Sequence, residues 1–246
     1  MLAWPAAMAG DVVRFWRDFM LDAPDEVGSA LAFITAPPAE FVPEPVRGHP
    51  VIACIGCYAG DAAEGAEAMR PLKEFGPPGL DLFGEIPYVG VQDLITEANP
   101  HGRRNYWSAD FLSELPDDAV DALVGHATQP VSPFTAILLA AGGGAVSRVP
   151  DDATAFGERH SPFNTHYLSM WEDPAEDERN ITYTRTLAAA MKPWTTGRVY
   201  LNYIGDEGLH RVESSFGEEK YARLQAIKAE WDPENVFRHN QNIKPA

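Results

Sequence analysis

The sequence predicts an α+β fold, with one mainly antiparallel sheet and helices covering one face. Amphipathic helical stretches and short apolar runs come in alternating groups, without the strict strand–helix–strand rhythm of a parallel sheet. Glycine and proline clusters punctuate the chain where loops between such elements would fall. The 246 residues, 45% hydrophobic and 22% charged, are enough for one good core. Neither a repeat nor a linker marks a second folding unit.

Each element has its own signal. Ala7–Leu21 reads as a helix because Val12, Val13, Phe15, Trp16, Phe19 and Met20 recur about every 3.6 residues. Gly28–Ile34 and Val51–Cys57 read as strands, separated by a loop holding Pro37, Pro38, Pro43 and Pro45. Asp61 suits the N-cap of a helix over Ala62–Phe75, which Gly76-Pro77-Pro78-Gly79 stops. Tyr88–Ile95 is a short helix. Pro116–Ala127 is another, with Asp117 and Asp118 near its positive end. Phe134–Ala140 is a continuous apolar strand, after which Gly142–Gly144 lets the chain turn back into Ala145–Val149. Phe163–Trp171 alternates as a strand, Ala175–Met191 is helical, and Arg198–Ile204 is a further strand. Glu218–Trp231 is the last helix, stopped by Asp232-Pro233.

Composition excludes several functions. The net charge is −17, and the 19 lysines and arginines form no basic run, so a nucleic-acid partner is not expected. No apolar run approaches the ~20 residues needed to cross a bilayer. The start has no basic, signal-like leader, so the expectation is a cytoplasmic protein with no membrane partner. Cys54 and Cys57 lie three apart on an apolar strand and so face opposite sides. With no second cysteine pair to complete a metal site, they read as structural, and no metal is expected.

The most specific signal is the tail. After the last helix come Asp232-Pro233, Asn235, Phe237-Arg238 and then Asn240-Gln241-Asn242-Ile243. A free terminus frays, and nothing in a mere tail calls for three carboxamides in a row. Together with Tyr200-Leu201-Asn202-Tyr203, this segment resembles the C-terminal end of the berberine-bridge-enzyme-like FAD-linked oxidases, flavoproteins of the vanillyl-alcohol-oxidase type of architecture. Tyr58-Ala59-Gly60-Asp61, Asn105-Tyr106-Trp107, Gly142–Arg148 and Ala153–Arg159 resemble further family landmarks, in family order.

The resemblance implies a domain plan. Residues 1–199 would be the substrate-binding domain and 200–246 the C-terminal segment that returns toward the flavin. The family's N-terminal flavin-binding domain, with its glycine-rich loop, is expected to be absent, so that the chain is the second half of an enzyme. The implied cofactor is FAD and the implied partner a small-molecule substrate. A separate flavin-binding polypeptide, or self-association through an uncovered apolar face, would complete the assembly. The implied activity is hydride transfer from an alcohol, sugar or amine to flavin. The other reading is a folded relic or scaffold that binds no cofactor.

Site residues follow from the same resemblance. Tyr203 takes the place of the family's substrate-facing tyrosine, expected to accept a proton while hydride leaves. A phenol is a poor base unless donors or positive charge lower its pKa. Asn164 stands where some relatives carry an assisting lysine, so protonated His166, its neighbour on the same strand face, is the expected substitute. Tyr106 is expected at the substrate entrance. Asn240 and Asn242 are expected beside the flavin, because a carboxamide both gives and accepts hydrogen bonds. Tyr203 and His166 are thus the catalytic candidates, Asn164 and Tyr106 the substrate-binding ones, and Asn240 and Asn242 the cofactor-binding ones. Arg148 and Arg159 read as structural, tying strands to carboxylates.

Overall fold

The computed structural model describes residues 1–96 and 98–246. Among these, seven strands form one antiparallel sheet: β1 (Leu2–Pro5), β2 (Val27–Thr35), β3 (Pro50–Tyr58), β4 (Leu80–Asp81), β5 (Arg104–Leu112), β6 (Ala136–Ala141) and β7 (Phe163–Trp171). Their order across the sheet is β4-β1-β3-β2-β6-β7-β5. The helices are α1 (Ala9–Asp22), α2 (Ala62–Ala68), α3 (Arg70–Glu74), α4 (Tyr88–Asp93), α5 (Asp117–Ala127), α6 (Gly144–Ser147), α7 (Asp177–Met191), α8 (Leu209–Phe216) and α9 (Glu218–Trp231).

The two faces of the sheet differ because side chains alternate along each strand. Leu31, Phe33, Ile52, Cys54, Ile137, Leu139 and Tyr167 point one way and form the core with α1, α5 and α7. Those helices supply Val12, Val13, Trp16, Val120, Leu123, Leu187 and Met191. Trp16 is fully buried, and its indole N–H donates to Ser29 Oγ at 2.9 Å. The opposite face mixes alanines with larger side chains. One cross-strand row runs Ala53, Ala32, Leu138, His166, Ala109. With helices on one side only, that row is left to loops and to the last third of the chain.

The expected α+β architecture is present, and the local differences have identifiable causes. The Ala62–Phe75 helix breaks at Met69. Its Asp61 cap forms, accepting from Ala63 N and Glu64 N, but Pro71 lacks the N–H that would continue the ladder to Glu67. The segment after the glycine turn forms the short α6, which begins at Gly144 itself. Arg148 pairs with Asp25 as expected. Arg159 instead donates to the Thr154 hydroxyl at 2.6 Å. Cys54 is buried and Cys57 exposed, and burial pushes the Cys54 thiol up, away from thiolate chemistry. Arg198–Ile204 is not a strand, for reasons that belong to the site.

Exposed apolar side chains gather in two places: Ile86, Tyr88 and Val89 at the start of α4, and Trp231, Val236 and Phe237 at and beyond the end of α9. The tail leaves α9 through a tight turn. Asp232 accepts from Val236 N at 2.8 Å and Phe237 N at 3.0 Å, and also pairs with Lys228.

Two glycines predict opposite outcomes. A Cβ on Gly157 would lie 1.8 Å from the Ser215 carbonyl oxygen of α8, so Gly157→Ala should destabilise by about 1–3 kcal/mol or more. A Cβ on Gly125, inside α5, would meet nothing within 4 Å, so Gly125→Ala should stabilise by about 0.5–1 kcal/mol. Urea midpoints of the two variants should move in opposite directions.

Candidate active site

The site grows from the free edge of β5. An edge strand presents unpaired N–H and C=O groups, and here residues 194–198 take them. Ser113 N donates to Trp194 O at 2.9 Å, Thr196 N to Phe111 O at 2.9 Å, and Phe111 N to Arg198 O at 3.1 Å. Arg198 then donates to Gly157 O at 2.6 Å, and backbone pairing to β5 ends. Val199 and Ile204 bury against Ala109, which curls the chain over the sheet edge as a 3₁₀ turn, Leu201–Tyr203. The expected strand alternation is therefore replaced by a three-residue period that brings Tyr200 and Tyr203 to the same side. Their rings meet edge to face at 4.9 Å.

Tyr203 lands on His166. The two rings stack with centroids 4.2 Å apart and planes within 1°. His166 faces Ala109 across the strand pair, and the small alanine leaves room for the phenol. Trp107 closes the other side, edge-on to His166 at 5.4 Å. Phe156 extends the cluster, 5.7 Å from Tyr200 and 6.3 Å from Phe111. His166 is 5% exposed, and its Nε2 has no hydrogen-bond partner among the described residues.

Asn164 shares the His166 face, as expected. Its Nδ2 donates to Asp110 O at 3.3 Å, while its Oδ1 is buried and unpartnered among the described residues. Tyr106 does not join the cluster. It sits one residue from Trp107 and therefore on the helix face, where its hydroxyl accepts from Arg185 Nε of α7 at 3.3 Å. The aromatic wall passes to Trp107. A cavity of about 290 Å³ at the β5 edge is lined by residues from both faces, among them Trp107, Tyr106, Gly205 and Glu207.

Electrostatics revise the expected activation of the tyrosine. Burial pushes the His166 pKa down to about 4, so at neutral pH the imidazole is uncharged and supplies no positive field. Burial, helped by Tyr200, raises the Tyr203 pKa. On the helix face, Asp110 pairs with Arg211 of α8 at 3.2 Å, yet burial pushes its pKa up to about 6. Arg211 also donates to Ala109 O at 2.7 Å and to Glu207 at 2.9 Å, fastening α8 to the β5 edge.

The tail reaches the same place. Gln241 Nε2 donates to Ile204 O at 3.3 Å and Gly205 O at 2.9 Å, the two carbonyls after Tyr203. Asn240 is exposed with a positive φ of 58°. Asn242 is half-buried, with its Oδ1 unpartnered among the described residues. The structure thus gathers Tyr203, His166 and Asn164 on one sheet face and brings the amide tail to the Tyr203 loop. Sequence reasoning missed the docking of Gln241, the linking ring of Phe156 and the Asp110–Arg211 pair. For the first of these, the run of three amides was the available signal.

Known proteins resemble the chain in sequence and in fold. The sequence model of the family "Berberine and berberine like" matches residues 199–244. The chain is 30% identical over 199 residues to the "Uncharacterized FAD-linked oxidoreductase YvdP" of Bacillus subtilis (strain 168), covering 78% of this chain and 43% of that protein. It is 26% identical over 240 residues to YgaK of the same organism, an "Uncharacterized FAD-linked oxidoreductase", covering 96% and 50%. The chain therefore spans about half the length of these relatives. Its fold matches wild-type BBE-like 1 of Physcomitrella patens, with a TM-score of 0.79 at 17% identity over 100% of this chain and 53% of that one. It also matches 6-hydroxy-D-nicotine oxidase of Arthrobacter nicotinovorans, with a TM-score of 0.74 at 22% identity over 100% and 54%. The chain carries a berberine-bridge-enzyme-like family domain over residues 199–244, which takes in the Tyr203 turn and the amide tail.

Proposed function

We propose that this chain is the substrate-side part of an FAD-dependent oxidoreductase that takes hydride from a small organic substrate such as an alcohol, sugar or amine. One observation carries the reading. The Tyr203–His166 stack lies on the sheet face free of helices, and the amide tail is hydrogen-bonded to the residues directly after Tyr203. Relatives whose names include FAD support the cofactor.

The tail's donor set fits a flavin. An exposed carboxamide at Asn240 and the unpartnered buried Oδ1 of Asn242 suit a ring edge of alternating acceptors and N–H donors. Asn240 and Asn242 would hold that edge. The flavin, when bound, supplies the two-electron acceptor.

The protein handles the proton. At neutral pH, burial leaves Tyr203 with its phenolic proton and His166 without a charge. The phenol then donates a hydrogen bond to the reacting oxygen or nitrogen of the substrate. Imidazole Nε2, in the tautomer protonated on Nδ1, accepts a hydrogen bond from the substrate O–H or N–H, and its low pKa passes the proton lost there on to solvent. This division reverses the expected one, in which a cationic His166 assisted a basic Tyr203. Asn164 Oδ1 offers a second acceptor, and Trp107 a flat apolar wall.

Two measurements test this reading. In flavin-loaded protein, Tyr203→Phe should slow anaerobic flavin reduction by substrate at least about tenfold, and an unchanged rate would remove Tyr203 from the reaction. The second measurement concerns His166 and pH. Its folded-state pKa of about 4 lies below its ordinary 6.5, so between those values the unfolded chain binds more protons. The stability due to neutral His166 is therefore fully present above pH 6.5 and is lost as pH falls toward 4. In urea titrations the unfolding free energy of wild type should drop relative to His166→Phe across that window. A constant difference would mean that the imidazole is in contact with water.

A further inference from the structure

Three carboxamides stand in a row in the tail, and they do different things. The middle one turns inward. Asn242 N donates to Asn240 O at 2.9 Å, and the left-handed backbone of Asn240 makes a tight bend that sends Gln241 toward the protein and leaves Asn240 exposed. A primary amide has two N–H groups, and the Gln241 nitrogen meets two successive carbonyls, Ile204 O and Gly205 O. These carbonyls begin a loop that Arg211 anchors at Glu207. Its other internal bonds are Glu207 N to Gly205 O at 3.1 Å and Gly208 N to Asp206 Oδ1 at 3.2 Å. Ile204 is buried against Ala109 and Val199, the cluster on which Tyr203 packs.

We propose that Gln241 is a positioning residue for Tyr203: its side chain fixes the 3₁₀ turn so that the phenol stays stacked on His166, and the placement of the tail thereby sets the placement of the tyrosine. This rests on the flavoenzyme reading, but the contact is testable without a flavin. A parallel ring at 4.2 Å shifts the His166 ring-proton resonances upfield, and His166→Phe assigns those resonances by their disappearance.

The test compares Gln241→Met, which keeps the length and loses the donor, with Gln241→Lys, which restores a donor to both carbonyls. Each is made in the full chain. In Gln241→Met the His166 ring protons should move toward their unstacked positions, and in Gln241→Lys they should return. In flavin-loaded protein, Gln241→Met should lower kcat about tenfold or more with KM little changed. It should have no further effect on a Tyr203→Phe background, because the two residues act through one group. Unmoved His166 resonances in Gln241→Met would overturn the proposal, as would an equal loss of rate on both backgrounds. If the resonances move while no substrate reduces a bound flavin, the positioning contact stands and the oxidoreductase reading falls.

Discussion

The free edge of β5 organises this protein. An outer strand cannot leave its backbone polar groups unpaired beside a packed core without cost. Residues 194–198 cover part of the edge, and the Arg211 guanidinium covers Ala109 O. Backbone pairing stops at Arg198, and the burial of Val199 and Ile204 then turns the chain over the rim of the sheet. That turn carries Tyr203 onto His166. Without the capped edge, the aromatic cluster would have no reason to assemble.

The contrast between the two sheet faces supplies the setting. Large side chains fill one face and bury α1, α5 and α7 there. The other carries alanines beside Leu138, Trp107 and Phe111, so the buried histidine and the tyrosine lie in a low-dielectric surround with few polar neighbours. Desolvation then acts on both in the same sense: each keeps its neutral form at physiological pH. Two neutral groups of opposite hydrogen-bonding bias, a phenol that donates and an imidazole that accepts, are thus presented side by side with no ion to hold them.

Much of this was legible in the sequence where local and tertiary preferences agree. Phe163–Trp171 and Glu218–Trp231 have the bounds that their patterns imply, because nothing else competes for them. Arg198–Ile204 misleads because Val199, Leu201 and Tyr203 spell a strand, while the partner edge is occupied only as far as Arg198. β5 hides because Ser108 and Asp110 interrupt its apolar signal. Asp110 is tolerated there only through Arg211, 101 positions away. Which amide of the tail turns inward depends on the backbone of Asn240, which residue types do not reveal.

The nine-residue register of β5 on β7, from Arg104 opposite Trp171 to Leu112 opposite Phe163, also limits how such a chain can diverge. Gaining or losing one residue inside β5 would exchange its two faces, sending Trp107 into the helix layer and turning Asp110 toward His166. Length changes between kindred sequences must then collect outside the strand, in the segments that lead into Arg104 and away from Leu112, while the strand itself evolves by substitution alone.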